Sequence, residues 1–320
     1  MPPVDSQAGD TPATDDGLRL LAPAKVNLTL AVSGRRADGF HELRTVMLAL
    51  DLCDELHLRL ARDLPLEGST LAVSGPAATA DIPLDSTNLA LAGALAAASL
   101  AHEPVALEVS LTKHLPSGAG LGGGSSDAAA AFLGAARLLG VDPHTDEARA
   151  ALRACGSDCA FFMEARHSGM GLCEGRGEVV TPLPSAPPSW HVALFTPDVH
   201  VATDEVYGAL SGPLSDPGGH HRLQRQELDA SAEYARAFLF NQLEEAALRV
   251  SPELVAWRAC LDSLGLEHFR LAGSGASFFG LFDDGTEAHA ALSGILASGG
   301  ERGLATRFSA VTRPAGAIQA

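Results

Sequence analysis

The chain has 320 residues, of which 46% are apolar, 19% charged and only 5% aromatic, the usage of a globular protein with alanine filling much of its interior. Its 39 acidic and 22 basic residues leave a formal charge of −17, which repels polyanionic backbones and acidic membrane surfaces, so neither nucleic acid nor membrane is expected as a partner. Five cysteines at irregular spacing (Cys53, Cys155, Cys159, Cys173 and Cys260) form no disulfide framework and point to a reducing, cytoplasmic compartment; Cys155, Cys159 and Cys173 match no zinc-binding spacing.

The length exceeds one ordinary core, so two domains are expected, with one elaborated domain as the alternative. Residues 1–16 hold four aspartates but no basic residue and no apolar run, which reads as a disordered tail rather than a targeting segment. Residues 18–32 alternate as a long strand or hairpin carrying Lys25 among small and apolar neighbours. A turn-rich loop over 33–41 follows and presents Phe40 and His41. Two further strands are expected over 42–51 and 55–60, then a loop over 62–83. Ser86, Thr87 and Asn88 offer caps to a helix over 89–101, too short and alanine-rich to span a bilayer.

A strand over 105–112 leads into Pro116-Ser117-Gly118-Ala119-Gly120-Leu121-Gly122-Gly123-Gly124-Ser125-Ser126. The next helix is capped by Ser125 or Ser126, has Asp127 at its positive end, and stops at Gly140. A short helix over 146–154 precedes Gly156-Ser157-Asp158, and a strand turns within the glycine-rich stretch 169–177. Four prolines over 182–188 mark the domain boundary. Beyond it come a strand over 191–195, a helix over 204–210 and a polar loop over 211–226 with His220 and His221. Helices over 239–249 and 253–264, a second glycine loop within 269–279, a helix over 287–296 and a strand over 305–311 complete the chain. Strands and helices in irregular order point to α+β.

A glycine run entering a helix is a phosphate cradle, because backbone amides can approach the anion and the helix dipole favours it. Gly118, Gly120 and Gly123 match the dinucleotide pattern, but the segment after Gly140 lacks the strand ending in an acidic residue. Gly124 and Ser125 stand where the Walker loop needs lysine and Ser/Thr. What remains is a cradle whose lysine lies elsewhere. On pattern alone Lys25 reads as a solvent-facing strand lysine and Asp158 as a turn former; phosphoryl transfer would need such a pair to neutralise charge and orient a hydroxyl.

The glycine stretch resembles the nucleotide loop of the GHMP kinases. Ala22-Pro23-Ala24-Lys25-Val26-Asn27-Leu28, Arg36-Ala37-Asp38-Gly39-Phe40-His41, Gly156-Ser157-Asp158 and Leu271-Ala272-Gly273-Ser274-Gly275-Ala276 extend the likeness along most of the chain, in order. They are similar to the branch that phosphorylates the 2-hydroxyl of 4-diphosphocytidyl-2-C-methyl-D-erythritol in the non-mevalonate (MEP) isoprenoid route. The resemblance implies a two-domain fold: a ribosomal-protein-S5-domain-2-like half over 17–183 and a ferredoxin-like α/β sandwich over 189–320.

It also implies ATP with Mg2+ as co-substrate, no tightly bound cofactor, and a monomer or weak homodimer. Asp158 would be the catalytic base and Lys25 its partner; Pro116 to Ser126 and Asn88 would bind ATP, with Ser126 within reach of Mg2+. Asn27, Phe40, His41, Tyr207, Gly273, Ser274 and Gly275 would bind the acceptor, its cytosine stacked between Phe40 and Tyr207 and hydrogen-bonded by His41. Cys159 and Ala160 follow Asp158 where the family usually has proline at the second position, so Cys159 is expected to be exposed at the site; Phe40 replaces the commoner tyrosine. The alternatives are a homoserine- or mevalonate-type kinase and a non-catalytic nucleotide-binding protein.

Overall fold

A computed structural model describes residues 17–165, 167–183, 188–211, 231–316 and 318. The tail expected over 1–16, the middle of the proline-rich boundary, and the loop segment with His220 and His221 lie outside the described residues. The alternation beginning at Leu18 forms β1 (Leu18–Arg35), antiparallel to β2 (His41–Ala61). The loop expected over 33–41 therefore shrinks to 36–40. The two strands expected over 42–51 and 55–60 are one. Register shifts at Pro23/Lys25, Asn27/Thr29 and Val32/Gly34 absorb the interruptions, so the ladder continues past them.

Strand β3 (Thr70–Ser74) lies within the expected 62–83 loop; only Leu71 in it is buried, too little alternation to read from sequence. It pairs in parallel with β4 (Ala106–Thr112), and α1 (Leu89–Ala98) is the crossover that parallel neighbours require. Helix α2 (Gly123–Leu139) starts two residues before Ser125, because Gly122 takes the cap position in the left-handed conformation. Asp127 consequently falls beyond the first turn, and Gly140 ends the helix as expected. Helices α3 (Asp146–Cys155) and α4 (Cys159–Glu164), then β5 (Met170–Gly175) and β6 (Val179–Pro182), complete this half.

The second half holds β7 (His191–Pro197), α5 (Thr203–Gly208), α6 (Ala232–Arg236), β8 (Phe240–Asn241), α7 (Leu243–Val250) and α8 (Pro252–Ser263). It ends with β9 (Arg270–Leu271), β10 (Phe278–Phe282), α9 (Gly285–Glu301) and β11 (Thr306–Thr312). The helix expected over 239–249 gives up its start: Phe240 and Asn241 pair with Thr29 and Leu30, a tertiary pairing that overrides local helical periodicity. One sheet runs β3-β4-β2-β1-β8 with β5 and β6 attached through β2; the other runs β11-β7-β10-β9.

The α+β architecture places β1 and β2 between two cores. Leu20, Ala22, Met47 and Ala49 face the first-half helices, whereas Val26, Leu28, Leu48 and Leu50 pack with Trp190, Val192, Leu194 and Phe279 of the second half. Side chains alternate along a strand, so with Ala24, Val26 and Leu28 in that second core, Lys25 and Asn27 point to the other face, toward the glycine loop.

Candidate active site

The glycine loop is fastened to β1. Lys25 N–H donates to Leu121 O at 2.8 Å, and Lys25 Nζ donates to Gly120 O at 3.0 Å. At Gly120 (φ +76) a Cβ would fall 2.0 Å from Ala272 O, so only glycine lets this loop touch the second glycine loop. At Gly122 (φ +70) a Cβ would lie 2.8 Å from Lys25 Cγ. The second half adds Ser277 N–H on Ala119 O at 3.2 Å and Arg307 Nη2 on Ser117 O at 3.0 Å. Ser126 Oγ is buried and has no hydrogen-bond partner among the described residues.

Lys25 is not the solvent-facing lysine its pattern suggests: it is 4% exposed. An ammonium has three protons. One goes to Gly120 O, one to Asn27 Oδ1 at 2.9 Å, and the third faces Asp158 Oδ2 at 3.5 Å. Asn27 Nδ2 donates to Thr45 Oγ1 at 2.8 Å, and Thr45 Oγ1 donates to Thr29 O at 2.6 Å. That chain fixes the amide so that its oxygen faces Lys25. Asp158 sits where α4 begins, yet its side chain caps nothing; Oδ1 accepts from Ser157 Oγ at 3.3 Å and Oδ2 is left to Lys25. A carboxylate with an oxygen open to the cavity can accept a proton from a hydroxyl placed beside it.

Lys25, Asn27 and Asp158 share one cavity of about 1220 Å3 with Phe40, His41, Tyr207, Gly273 and Ser274. Burial and then the neighbouring Arg35 hold His41 below its ordinary range, so the imidazole is neutral and offers one donor and one acceptor. Tyr207 stacks on His41, with ring centres 4.8 Å apart and planes 24° off parallel. Phe40 is 54% exposed, and Arg176 Cζ lies 4.8 Å from its ring centre. The structure thus brings Phe40, His41 and Tyr207 together but pairs Tyr207 with His41 rather than with Phe40.

The second glycine loop closes the same cavity. Asn241 Nδ2 donates to Leu271 O at 2.8 Å and Gly273 O at 2.7 Å, while Thr203 Oγ1 and Ser274 Oγ share a hydrogen bond of 2.9 Å. Asn88 has its amide committed elsewhere: Oδ1 accepts from Ala90 N–H at 2.9 Å and Nδ2 donates to Pro83 O at 2.9 Å. Cys159 is buried rather than exposed, because α4 turns its first side chain inward, and burial pushes the thiol up to about 12.

Sequence reasoning passed over the support beneath the loop. Lys113 Nζ pairs with Asp54 and lies 2.8 Å from Asp127 Oδ2, all three buried. Asp54 Oδ1 also accepts the amides of His114 and Leu115, just before the glycine run. Burial pushes the Asp127 carboxyl up to about 7 against the pull of Lys113. The signal was there in phase: Leu107, Val109 and Leu111 are alternate buried positions of β4, and Lys113 continues their spacing. Asn241 and Thr45 gave no comparable signal.

Two families match the chain, GHMP kinases N terminal domain over residues 86–165 and GHMP kinases C terminal over 221–300. The 4-diphosphocytidyl-2-C-methyl-D-erythritol kinase of Geobacter sp. (strain M21) is 36% identical over 283 residues, covering 87% of this chain and 94% of the relative. The enzyme of that name from Geobacillus kaustophilus is 35% identical over 279 residues, covering 87% and 92%. A crystal structure of 4-(cytidine 5'-diphospho)-2C-methyl-D-erythritol kinase superposes with a TM-score of 0.70 at 32% identity, covering 93% of this chain and all of that one. Homoserine kinase from Cytophaga hutchinsonii shares the fold, with a TM-score of 0.69 at 17% identity over 96% of this chain and 98% of that one.

Proposed function

Since the chain belongs to the 4-diphosphocytidyl-2-C-methyl-D-erythritol kinase family of GHMP kinases, we propose that it transfers the γ-phosphoryl group of ATP to the 2-hydroxyl of that cytidine diphosphate ester. Asp158 takes the hydroxyl proton as the oxygen attacks the γ-phosphorus; the bond between that phosphorus and the β,γ-bridging oxygen breaks, and ADP leaves. Lys25, 3.5 Å from Asp158, orients that carboxylate and neutralises charge developing on the transferred group. The amides of Gly118 to Ser126 receive the triphosphate.

Among the described residues no three His, Cys, Asp or Glu side chains cluster as a metal cage. Magnesium would therefore be held chiefly by the triphosphate, and the unpartnered Ser126 hydroxyl is the group placed to meet it. Bound there, the ion would neutralise the β- and γ-oxygens.

One observation carries the choice of acceptor: a single cavity is lined both by Lys25 and Asp158 and by Phe40, His41 and Tyr207. A homoserine- or mevalonate-type acceptor has no base to use the aromatic end. ATP consumption with purified acceptors tests this. Turnover is expected with the cytidine diphosphate ester and not with methylerythritol phosphate, homoserine or mevalonate; equal turnover without the cytidine group would overturn the assignment. Among the described residues no helix is long and apolar enough to cross a membrane.

A further inference from the structure

The proposed acceptor carries a diphosphate between its two ends, and the cavity supplies cations where such a group must pass. In a chain of net charge −17, the described residues that line the cavity include Lys25, Arg35, Arg153 and Arg176 against two carboxylates, Asp158 and Asp204. This local excess of positive charge runs against the field of the whole molecule. Lys25 is committed to Asp158, and Arg35 sits close enough to His41 to depress its protonation. That leaves Arg153 and Arg176.

Arg176 stands between the two ends. Its guanidinium lies over the Phe40 ring, while the next residue, Gly177, comes so near Asp158 that a Cβ there would be 3.5 Å from Oδ1. The turn between β5 and β6 therefore spans from the base pocket to the reacting carboxylate. The Arg176 ion pair with Glu178 is long, 3.8 Å, and the arginine side chain, 32% exposed, lines the cavity. Arg153, in the last turn of α3, lines the wall that continues into Gly156, Ser157 and Asp158, and it joins no ion pair among the described residues.

We infer that Arg176, together with Arg153, forms the subsite for the acceptor's diphosphate, so that the enzyme selects a nucleoside diphosphate ester rather than a free cytidine or an uncharged alcohol. The guanidinium fork suits paired phosphate oxygens better than a lysine would. The inference rests on the acceptor reading above and adds the residues that would recognise its charge.

Calorimetric binding of cytidine and of CDP, with ADP saturating the glycine loop so that only the acceptor side is read, separates the possibilities. The parent is expected to prefer CDP, and the preference to weaken with added salt. In Arg176→Met the affinity for CDP should fall on the order of tenfold, the worth of one charge-assisted pair, while cytidine changes by no more than about twofold. Arg153→Gln, on a different element, should show the same selectivity loss, and unchanged melting temperatures would exclude a folding defect. Equal losses for cytidine and CDP in Arg176→Met would mean that the arginine acts only through Phe40. A parent that binds both ligands equally would remove the subsite and leave the base pocket standing. A parent that binds neither would overturn the acceptor reading and this inference with it.

Discussion

Replacing Gly122 by alanine tests whether the glycine loop and the reacting lysine are one mechanical unit. The new methyl would sit 2.8 Å from Lys25 Cγ, 3.0 Å from its Cε and 3.3 Å from Phe162 Cζ. Phe162 is fully buried among first-half core residues and cannot yield, so Lys25 must. The left-handed backbone at φ +70 adds roughly 1 to 2 kcal/mol of strain for any residue with a Cβ. Displacing the ammonium forfeits at least one charge-assisted hydrogen bond, about 1.5 to 3 kcal/mol, which corresponds to roughly 10- to 100-fold in kcat if that bond acts in the transition state. Gly140→Ala is the control: it has φ +69 and nothing within 4 Å, hence the same strain without the clash. Melting temperatures and turnover per folded molecule, measured on both, should show destabilisation in each, larger for Gly122→Ala, but lost turnover only for Gly122→Ala. If the two variants turn over alike, Lys25 does not depend on the loop and the coupling is wrong.

Asp158→Asn should lower turnover by about 100- to 10,000-fold, the worth of a general base, with ATP binding retained in a fluorescence titration; near-parent turnover would dismiss Asp158 as the base. Because burial and Arg35 depress His41, its contribution is present above the ordinary histidine value of 6.5 and is lost as pH falls below it. The acceptor KM should therefore be flat on the alkaline side and rise only below that point; a rise beginning on the alkaline side would contradict the neutral imidazole. Lys113→Met leaves Asp54 and Asp127 buried together without a cation, and should cost about 3 to 5 kcal/mol in urea unfolding. A cost under about 1 kcal/mol, the level of an exposed pair, would show that the triad is solvated after all.

Much of this was legible in advance because the chemistry depends on local runs. The glycine stretch, the strand before it and the helix after it carry their own signals, whereas the Gly156-Ser157 turn makes Asp158 read locally as a turn former, and only the family resemblance singles it out. Lys25 was ambiguous, since alternation identifies its strand but not which face a second sheet will cover. Only the packing of Val26 and Leu28 against Trp190 and Phe279 decides that Lys25 faces inward. The start of α2 was misplaced for a similar reason: a glycine cap at Gly122 leaves no side chain to announce it. Strand β8 could not be read locally at all, because its two residues become a strand only by pairing with a segment more than two hundred positions earlier.

That short pairing also covers part of a sheet edge. A sheet that ends in a long, flat strand offers its open amides and carbonyls to any other chain, the usual route to aggregation. Here β1 would be such an edge beyond β2. Phe240 and Asn241 cover Thr29 and Leu30; the ladder then goes on with Gln242 N–H on Leu30 O at 2.9 Å and Val32 N–H on Gln242 Oε1 at 2.8 Å. Where the backbone of the covering strand turns away into α7, a side-chain amide takes over the next rung. Residues 29–32 of the strand that carries Lys25 are thereby covered by a distant part of their own chain, and the cover can form only after that later part has been made.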